Sequence, residues 1–131
     1  MNTFAVYLLA ADRYERIDGV ASFVGEDKTG SFGLQARHDR FMTVLTFGLA
    51  RLLLADGSRE YLAFPGGLVY FVDNELRIST RRYLRDTEVA RVSHALTQEL
   101  LEEEQALEQT RRKLHRLEAE MLKRLAHVGR Y

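Results

Sequence analysis

The chain has 131 residues, 46% of them hydrophobic and 29% charged, which is enough for one small folded domain with an appendage but not for two ordinary cores. Its 19 basic and 19 acidic residues cancel, and this argues against the overall positive charge on which binders of nucleic acids and acidic membranes depend. The sequence contains no cysteine, which excludes disulfides, thiolate catalysis and cysteine-type zinc sites.

The first predicted element is a strand from Thr3 to Ala10, because β-branched, aromatic and aliphatic residues occupy both of its alternating faces. The run lacks a basic flank and a cleavage motif and is soon followed by Asp12, so it is not typical of a signal peptide. No uncharged apolar stretch approaches the roughly 20 residues needed to cross a bilayer. We therefore predict no direct insertion into a membrane.

Alternating apolar residues bounded by turn signals predict seven further strands. They cover residues 17–24, 32–36, 41–47, 48–54, 59–64, 68–72 and 75–80. Asp56-Gly57 and Asp73-Asn74 separate neighbouring runs in the way that hairpin turns do. Turns that recur about every 8 to 12 residues indicate a sandwich or a barrel rather than βαβ units. We predict an all-β head over residues 1–84.

The residue pattern changes after Tyr83. Residues 87–128 contain no proline, glycine or asparagine, and leucine, glutamate, arginine, lysine and alanine dominate them, which predicts a helix or a pair of helices. Asp86 is a candidate N-cap and Gly129 a candidate terminator. We therefore predict a C-terminal helical arm over residues 85–131. The absence of turn residues between 104 and 110 favours a continuous helix over a hairpin.

The arm carries an apolar residue at every seventh position, as one position of a coiled-coil heptad does. These residues are Leu100, Leu107, Leu114, Met121 and Val128. The companion position is largely polar, and it holds Leu96, Glu103, Thr110, Leu117 and Arg124. We favour a half-amphipathic helix that leans on its own domain or on a partner, with a two-chain coiled coil as the alternative. An unbroken arm of about 60 Å is too long for the head to cover alone.

No residue pattern indicates a catalytic, metal or cofactor site. The histidines lack metal-ligand spacing: His38, His94, His115 and His127. His38 and Asp39 are neighbours whose side chains are expected to point apart, so they form a weak acid–base candidate. The serines lack a nucleophile elbow, and no Gly-x-x-x-x-Gly-Lys loop is present. We predict a non-catalytic protein without a metal or cofactor, whose short basic clusters Arg81–Arg82 and Arg111–Lys113 are solvated or form salt bridges.

Four segments, in order along the chain, resemble the motifs of one family. They are Gly30–Leu34 with His38, which resembles a Gly-x-x-Gly-Ile loop and its downstream histidine; Phe47–Leu52, which resembles Pro-Gly-x-x-Arg-Ile; Gly66–Val69, which resembles Gly-Gly-x-x-Glu-Val; and the Asp73-Asn74 turn. With the helical tail behind them, they are similar to the epsilon subunit of F-type ATP synthases. The likeness covers nearly the whole chain.

The resemblance implies a two-sheet antiparallel β-sandwich followed by a helical tail. It also implies a non-catalytic rotor subunit of an ion-translocating ATP synthase, in which the head binds the gamma shaft and the c-ring at the cytoplasmic face of the bacterial inner membrane. The tail in this family folds against the head or extends toward the alpha and beta subunits and inhibits ATP hydrolysis. No nucleic-acid partner is implied.

The resemblance also assigns residues. Ser31, Phe32, His38 and Arg40 are implied contacts to the c-ring, although Phe32 is alternatively a core residue at a strand start. The implied regulatory residues of the arm are Leu100, Leu107, Leu114, Leu117 and Met121.

Departures from the family pattern affect two places. Ala36 and Arg40 stand where prolines flank the family's histidine, and Arg37 replaces a glycine. The ATP motif Ile-Asp-x-x-Arg-Ala is degraded, since Asp86 lacks the preceding aliphatic residue and Arg91 lies five rather than three positions after it, so we predict no tight ATP site. These differences suggest the divergent bacterial lineage called the alternate or N-type ATPase.

Two functions outside this family remain alternatives. One is a self-associating scaffold module, made of a β-sandwich and a coiled coil, that is unrelated to ATP synthesis. The other is a small-molecule enzyme or binding protein that uses a cleft beside His38.

Overall fold

Nine strands precede the helical arm in the computed structural model, which describes residues 2–128. Their bounds are β1 Phe4–Leu9, β2 Tyr14–Asp27, β3 Gly30–Gln35, β4 Phe41–Leu45, β5 Gly48–Leu54, β6 Arg59–Phe64, β7 Gly67–Val72, β8 Glu75–Ser79 and β9 Leu84–Asp86. Eight of the nine coincide with runs that the sequence predicted from alternation and turn signals, and β9 is the exception.

The strands form a two-layer sandwich, as predicted. Hydrogen-bonded neighbours follow the order β4-β7-β8-β1-β2-β5-β6-β9, with β3 beside β2. The first half of the 14-residue strand β2 pairs with β1, and its second half pairs with β3 and β5 after a register shift near Val20. A long strand that changes partners in this way carries the chain from one layer to the other. All pairs are antiparallel except β1 with β8.

The main core lies between the two layers. Strand β1 illustrates the pattern, because Phe4, Val6 and Leu8 are buried while the residues between them are partly buried. The largest fully buried side chains come from both layers: Phe23, Phe64, Phe71, Leu8, Leu34, Leu52, Leu62, Leu76 and Ile78. Burying several phenylalanine, leucine and isoleucine side chains supplies most of the favourable free energy of folding of such a head.

Two turns have the backbone that their residues predict. Asp73 and Asn74 have φ angles of 51° and 61°, the left-handed pair that a tight hairpin between β7 and β8 requires. At the Gly-Gly turn before β7, Gly66 has φ 137°, and a Cβ on Gly67 would lie 2.7 Å from the carbonyl oxygen of Ser79. Both glycines are therefore required by the backbone rather than by a ligand.

Strand pairing continues beyond Tyr83, where we predicted the change to helix. Strand β9 pairs antiparallel with β6, with Ala63 opposite Leu84 and Tyr61 opposite Asp86. The prediction that Asp86 is the N-cap is wrong, because this pairing keeps Asp86 in the strand and Glu88 becomes the N-cap. The side chain of Asp86 instead accepts a hydrogen bond from the backbone N–H of Glu88 at 3.0 Å.

Between residues 89 and 128 the arm is one continuous helical segment without a turn. It consists of α1 (Val89–Ala95), a π-helical turn (Leu96–Leu100) and α2 (Leu101–Val128). At about 1.5 Å per residue it extends for about 60 Å. The candidate terminator Gly129 and the side chain of Val128 lie outside the described residues. Within residues 2–128, none of the helices is both long and apolar enough to cross a bilayer.

Candidate functional site

The base of the arm is held against the head by a small apolar cluster that is separate from the main core. Ala63 of β6, Val92 of α1 and Leu100 at the end of the π turn are its buried members. Partly buried side chains pack around them: Leu49, Tyr61, Leu84 and Leu96. We call these seven residues the junction cluster. It fixes the direction in which the arm leaves the head.

The π turn explains how three arm residues reach the same surface. Val92, Leu96 and Leu100 are four residues apart, and on a regular α-helix each such step drifts by about 40° around the axis. The N–H of Leu101 bonds to the carbonyl of Leu96, five residues back, so this turn holds one residue more than an α turn. The extra residue offsets the drift and directs Leu100 into the junction cluster.

Three ion pairs reinforce the junction from the loop between β8 and β9. Arg82 binds Glu99 at 2.8 Å and also contacts Glu103, while Arg81 contacts Glu104. We call these five residues the junction ion pairs. Their side chains are between 31% and 51% exposed, so each pair alone contributes little to stability. Because the three glutamates of these pairs lie on one face of the helix, the pairs orient the arm about its own axis.

A second charged group lies beneath β9 and joins the two layers of the sandwich. Arg85 of β9 binds Glu60 of β6 with two hydrogen bonds of 2.7 and 3.0 Å and binds Glu15 of β2 at 2.8 Å. Tyr83 donates a hydrogen bond to Glu15. Glu60 is only 9% exposed, so loss of the guanidinium beside it would leave a largely buried carboxylate without a partner. This group anchors the strand from which the arm starts.

The same contacts shift two pKa values in opposite directions. Burial raises the pKa of the Glu15 carboxyl, but the hydrogen bond from Tyr83 and the charges of Arg13 and Arg85 outweigh it and hold that pKa below the ordinary 4.5. Burial, together with the hydrogen bond to Glu15, raises the pKa of Tyr83 to about 12. The pair is therefore held as a carboxylate and a neutral phenol at physiological pH.

The Tyr83 hydroxyl should be visible in an alkaline titration. Because its folded pKa is raised from 10.0, the stability that it contributes is complete below pH 10 and is lost as the pH rises to about 12. In an absorbance titration of the six tyrosines, we expect one to ionise near pH 12, and Tyr83→Phe should remove that step. If the absorbance increase above pH 11 is as large in Tyr83→Phe as in the unchanged chain, the hydrogen bond to Glu15 is contradicted.

Ser31 and Phe32, two of the residues predicted to face the c-ring, lie on opposite faces of β3. Ser31 is exposed beside the arm and lines a cavity of about 230 Å³ with Tyr61 and Val89. Phe32 points to the opposite face and packs on the main core, with its ring 5.2 Å from that of Phe41. This is the placement of the alternative interpretation, that of a core residue at a strand start.

His38 and Arg40 are exposed in the loop between β3 and β4. The His38 ring lies edge-on to the ring of Phe41 at 5.8 Å and to that of Phe71 at 6.0 Å. His38 therefore shares Phe41 with Phe32. The role of these residues in binding a ring stays a prediction.

The loop that carries His38 contains a strained residue. Arg37, which replaces the family's glycine, has φ 65°, a left-handed conformation that is unfavourable for a residue with a long side chain. Its N–H donates to the side-chain oxygen of Asn74 at 2.7 Å, and the amide of Asn74 donates to the carbonyl of Thr3 at 2.9 Å. These two bonds hold the loop against the β7–β8 turn and offset the strain.

Comparison with known proteins decides the family. A family model described as ATP synthase, Delta/Epsilon chain, beta-sandwich domain matches residues 3–86. The chain belongs to this family. The match ends at Asp86, the last residue of β9, and so covers the whole sandwich.

Relatives of the delta/epsilon family agree with this assignment. ATP synthase epsilon chain 2 of Cereibacter sphaeroides is 28% identical over 115 residues, which cover 86% of this chain and 79% of that protein. The head has the fold of a chain in the mitochondrial ATP synthase of Euglena gracilis, solved as OSCP/F1/c-ring, with a TM-score of 0.60 at 19% identity. A chain of the Tetrahymena thermophila central stalk and c-ring gives 0.54 at 18%. Both likenesses cover 63% of this chain, but only 53% and 66% of those chains.

Asp86 and Arg91, the two residues predicted to be remnants of an ATP motif, form an ion pair with each other. The guanidinium of Arg91 lies 2.9 Å from the carboxylate of Asp86. The backbone hydrogen bond from Glu88, and then that of Arg91, holds the pKa of Asp86 below its ordinary value. Both functional groups therefore already have partners. That no tight ATP site forms here stays a prediction.

The predicted regulatory residues of the arm fall into two environments. Leu100 is fully buried in the junction cluster, whereas Leu107 is only partly buried. Leu114, Leu117 and Met121 are more than half exposed. The favoured interpretation was a helix that leans on its own domain or on a partner. The base of the arm leans on its own domain, and a partner for the exposed outer half stays a prediction.

A further surface of this delta/epsilon head was missed by the sequence analysis. Met42 and Val44 of β4 and Leu68 of β7 are exposed on the outer face of the layer that contains these two paired strands. Met42 and Leu68 line a cavity of about 360 Å³ with Leu9 and Tyr70. We call these five residues the outer patch. The sequence signal for this surface was that residues 41–45 and 68–72 carry apolar side chains on both faces of the strand. One face packs in the core, so the other face needs a contact with another surface.

Proposed function

We propose that the chain is an epsilon-type subunit of the central stalk of a rotary F-type ATP synthase, without catalytic residues of its own. One observation carries the proposal: the sandwich of the delta/epsilon family is joined in this chain to a helix whose base is fastened to the head and whose outer half is exposed. Such a protein acts mechanically, since a fastened arm transmits or blocks motion through contacts rather than through bond chemistry.

The head is proposed to connect the gamma shaft to the c-ring. Two separate surfaces support this, because a connecting subunit needs one for each partner. The exposed loop residues His38 and Arg40 are proposed for the ring, and the apolar outer patch is proposed for the gamma subunit. Exposed apolar side chains and polar loops on a rigid sandwich are suited to stable contacts of this kind. The complex would hold the chain at the cytoplasmic face of the bacterial inner membrane.

The arm is proposed to regulate ATP hydrolysis through an equilibrium between two positions. In the position described, its outer half is free to meet the alpha and beta subunits. Release of the junction ion pairs would let the arm turn toward another position, and the balance depends on the contacts made in each. Arg82 supports this role because one guanidinium holds both Glu99 and Glu103, one helical turn apart.

The proposal is tested by adding the full chain to an F-type ATPase complex from which the epsilon subunit has been removed. We expect hydrolysis to fall and its coupling to ion transport to rise. Arg82→Ala should bind the complex as well as the unchanged chain. The variant should shift the balance of arm positions by about 1 kcal/mol, or roughly fivefold, and so weaken the inhibition.

Arg16→Ala is the matched control, because Arg16 forms an exposed pair with Asp18 away from the arm. It should inhibit as strongly as the unchanged chain. If the unchanged chain alters neither hydrolysis nor coupling, the proposed function is wrong. If Arg82→Ala and Arg16→Ala inhibit equally, the regulatory role of the junction ion pairs is wrong.

A further inference from the structure

A stripe of exposed apolar side chains follows the outer half of α2, away from the head. Its members lie three or four residues apart, a spacing that aligns side chains on one face of a helix. They are Leu114, Leu117, Met121 and Leu125, each between 54% and 65% exposed. We call these four residues the outer stripe. An apolar surface of this extent on a charged helix indicates contact with another protein surface.

Charged residues flank the outer stripe in a regular order. If Leu114 takes heptad position a, then Lys113 and Glu120 occupy position g on one flank, and Arg111 and Glu118 occupy position e on the other. Each flank therefore carries one base and one acid. The contacts of Arg111 and Glu118 within the helix are long, at 3.9 and 3.8 Å, and are readily exchanged for others.

We propose that the outer stripe binds a second copy of this chain, with the two arms antiparallel. Setting Leu114 against Leu117 of the second copy also sets Leu117 against Leu114, so the contact has a two-fold axis. In this register Lys113 lies opposite Glu120 of the second copy, and Arg111 lies opposite Glu118 of the second copy. The axis repeats both pairs, and four ion pairs enclose two leucine layers.

A parallel pair of arms fits the same residues less well. It would bring Arg124 against Arg124 and Thr110 against Thr110 in core positions. Lys113 would face Glu118, and the other flanking charges would have no partner of opposite sign. Residues e and g set the orientation of helix pairs, so they favour the antiparallel arrangement.

The charge along the arm favours the same orientation. Its first half is acidic and includes Glu102 and Glu108, whereas its outer end is basic and includes Lys123 and Arg124. Antiparallel arms place the basic end of one copy beside the acidic half of the other. Parallel arms would place like charges together, which is unfavourable at low ionic strength.

This pairing belongs to the free chain and does not depend on the proposed function. Thr110 and Arg124 limit the apolar core to a few layers, so the dissociation constant should be on the order of 10 μM. The pairing covers the same stripe that an extended arm offers to other subunits. A dimer of this affinity would dissociate when the chain joins a complex, because the other subunits offer the stripe a larger contact surface.

Charge reversal of one flank tests the register by sedimentation of the full chain from about 1 to 500 μM. Lys113→Glu and Glu120→Lys should each weaken the dimer at least tenfold, because each places like charges opposite one another twice. The double variant Lys113→Glu/Glu120→Lys should return to within about threefold of the unchanged chain. Arg116→Glu, the same change of charge on a face away from the stripe, is the control and should leave the dimer intact.

Circular dichroism of each variant should be unchanged, since all of these positions are exposed on the helix. A chain that stays monomeric at every concentration overturns the proposal, as does a dimer that Lys113→Glu does not weaken. Restoration by Lys113→Glu/Glu118→Lys, instead of by the reversal at residues 113 and 120, would mean parallel arms and overturn the antiparallel register.

Discussion

Leu100→Ala is expected to release the base of the arm from the head while the sandwich stays folded. The Leu100 side chain is fully buried, and removing its outer atoms leaves a cavity in a cluster that has only two other buried members. Truncations of this kind cost about 3 kcal/mol. Because the junction cluster is separate from the main core, the loss should fall on the contact between head and arm rather than on the whole fold.

Hydrogen exchange of the full chain measures this effect residue by residue. Amides of α1 and the π turn should exchange about a hundredfold faster in Leu100→Ala, whereas those of β1 and β8 should change little. Leu101→Ala is the matched control, because Leu101 is the next residue, has the same side chain and is 38% exposed. Equal exchange in the two variants would show that the junction cluster does not hold the arm.

Arg85→Met is expected to destabilise the whole head. The variant keeps most of the side-chain volume but leaves the carboxylates of Glu60 and Glu15 without the guanidinium between them. Removing one partner of a largely buried ion pair costs about 3 kcal/mol, because the remaining charge keeps its desolvation penalty. Since Glu15 and Glu60 belong to different layers, urea unfolding should show a lower midpoint for the entire sandwich.

Acid distinguishes this cause from a simple loss of packing. The lowered pKa of Glu15 means that its stabilising contribution is present above pH 4.5 and is lost as the pH falls below that value. The difference between Arg85→Met and the unchanged chain should therefore stay nearly constant from pH 7 down to about pH 4.5 and shrink below that pH. A difference that also stays constant below pH 4.5 would assign the effect to packing.

Arg16→Met is the control for Arg85→Met. Arg16 pairs with Asp18 on the surface, and its side chain is 55% exposed. Its replacement should leave the urea midpoint nearly unchanged at every pH.

The sequence predicted most of the head because its strands are encoded locally. The apolar run from Thr3 to Ala10 and the turn at Asp73 and Asn74 each depend on a few neighbouring residues, and the structure has a strand at Phe4–Leu9 and a left-handed turn at Asp73 and Asn74. The continuous arm was predictable for the same reason, since forty residues without proline or glycine favour a helix whatever surrounds them. The family motifs were also local, and the match over residues 3–86 confirms the resemblance.

The parts that sequence reasoning missed depend on residues far apart in the chain. Strand β9 has only three residues, and it exists because β6 offers a free edge more than 20 positions earlier. The ion pairs of Arg82 depend on Glu99 and Glu103, which in the sequence alone look like ordinary surface charges of the arm. Their spacing of four residues, opposite two adjacent arginines, was the one available signal.

The π turn is the place where the arm can become one residue shorter without a change in the direction that its later side chains face. Deleting one residue anywhere in α2 would rotate every later side chain by about 100° about the axis. Deleting one within Leu96–Leu100 would convert a wide turn into an ordinary one and leave the later part of the arm facing nearly the same way. Single-residue deletions among related chains should therefore be tolerated at this turn and selected against farther along the arm.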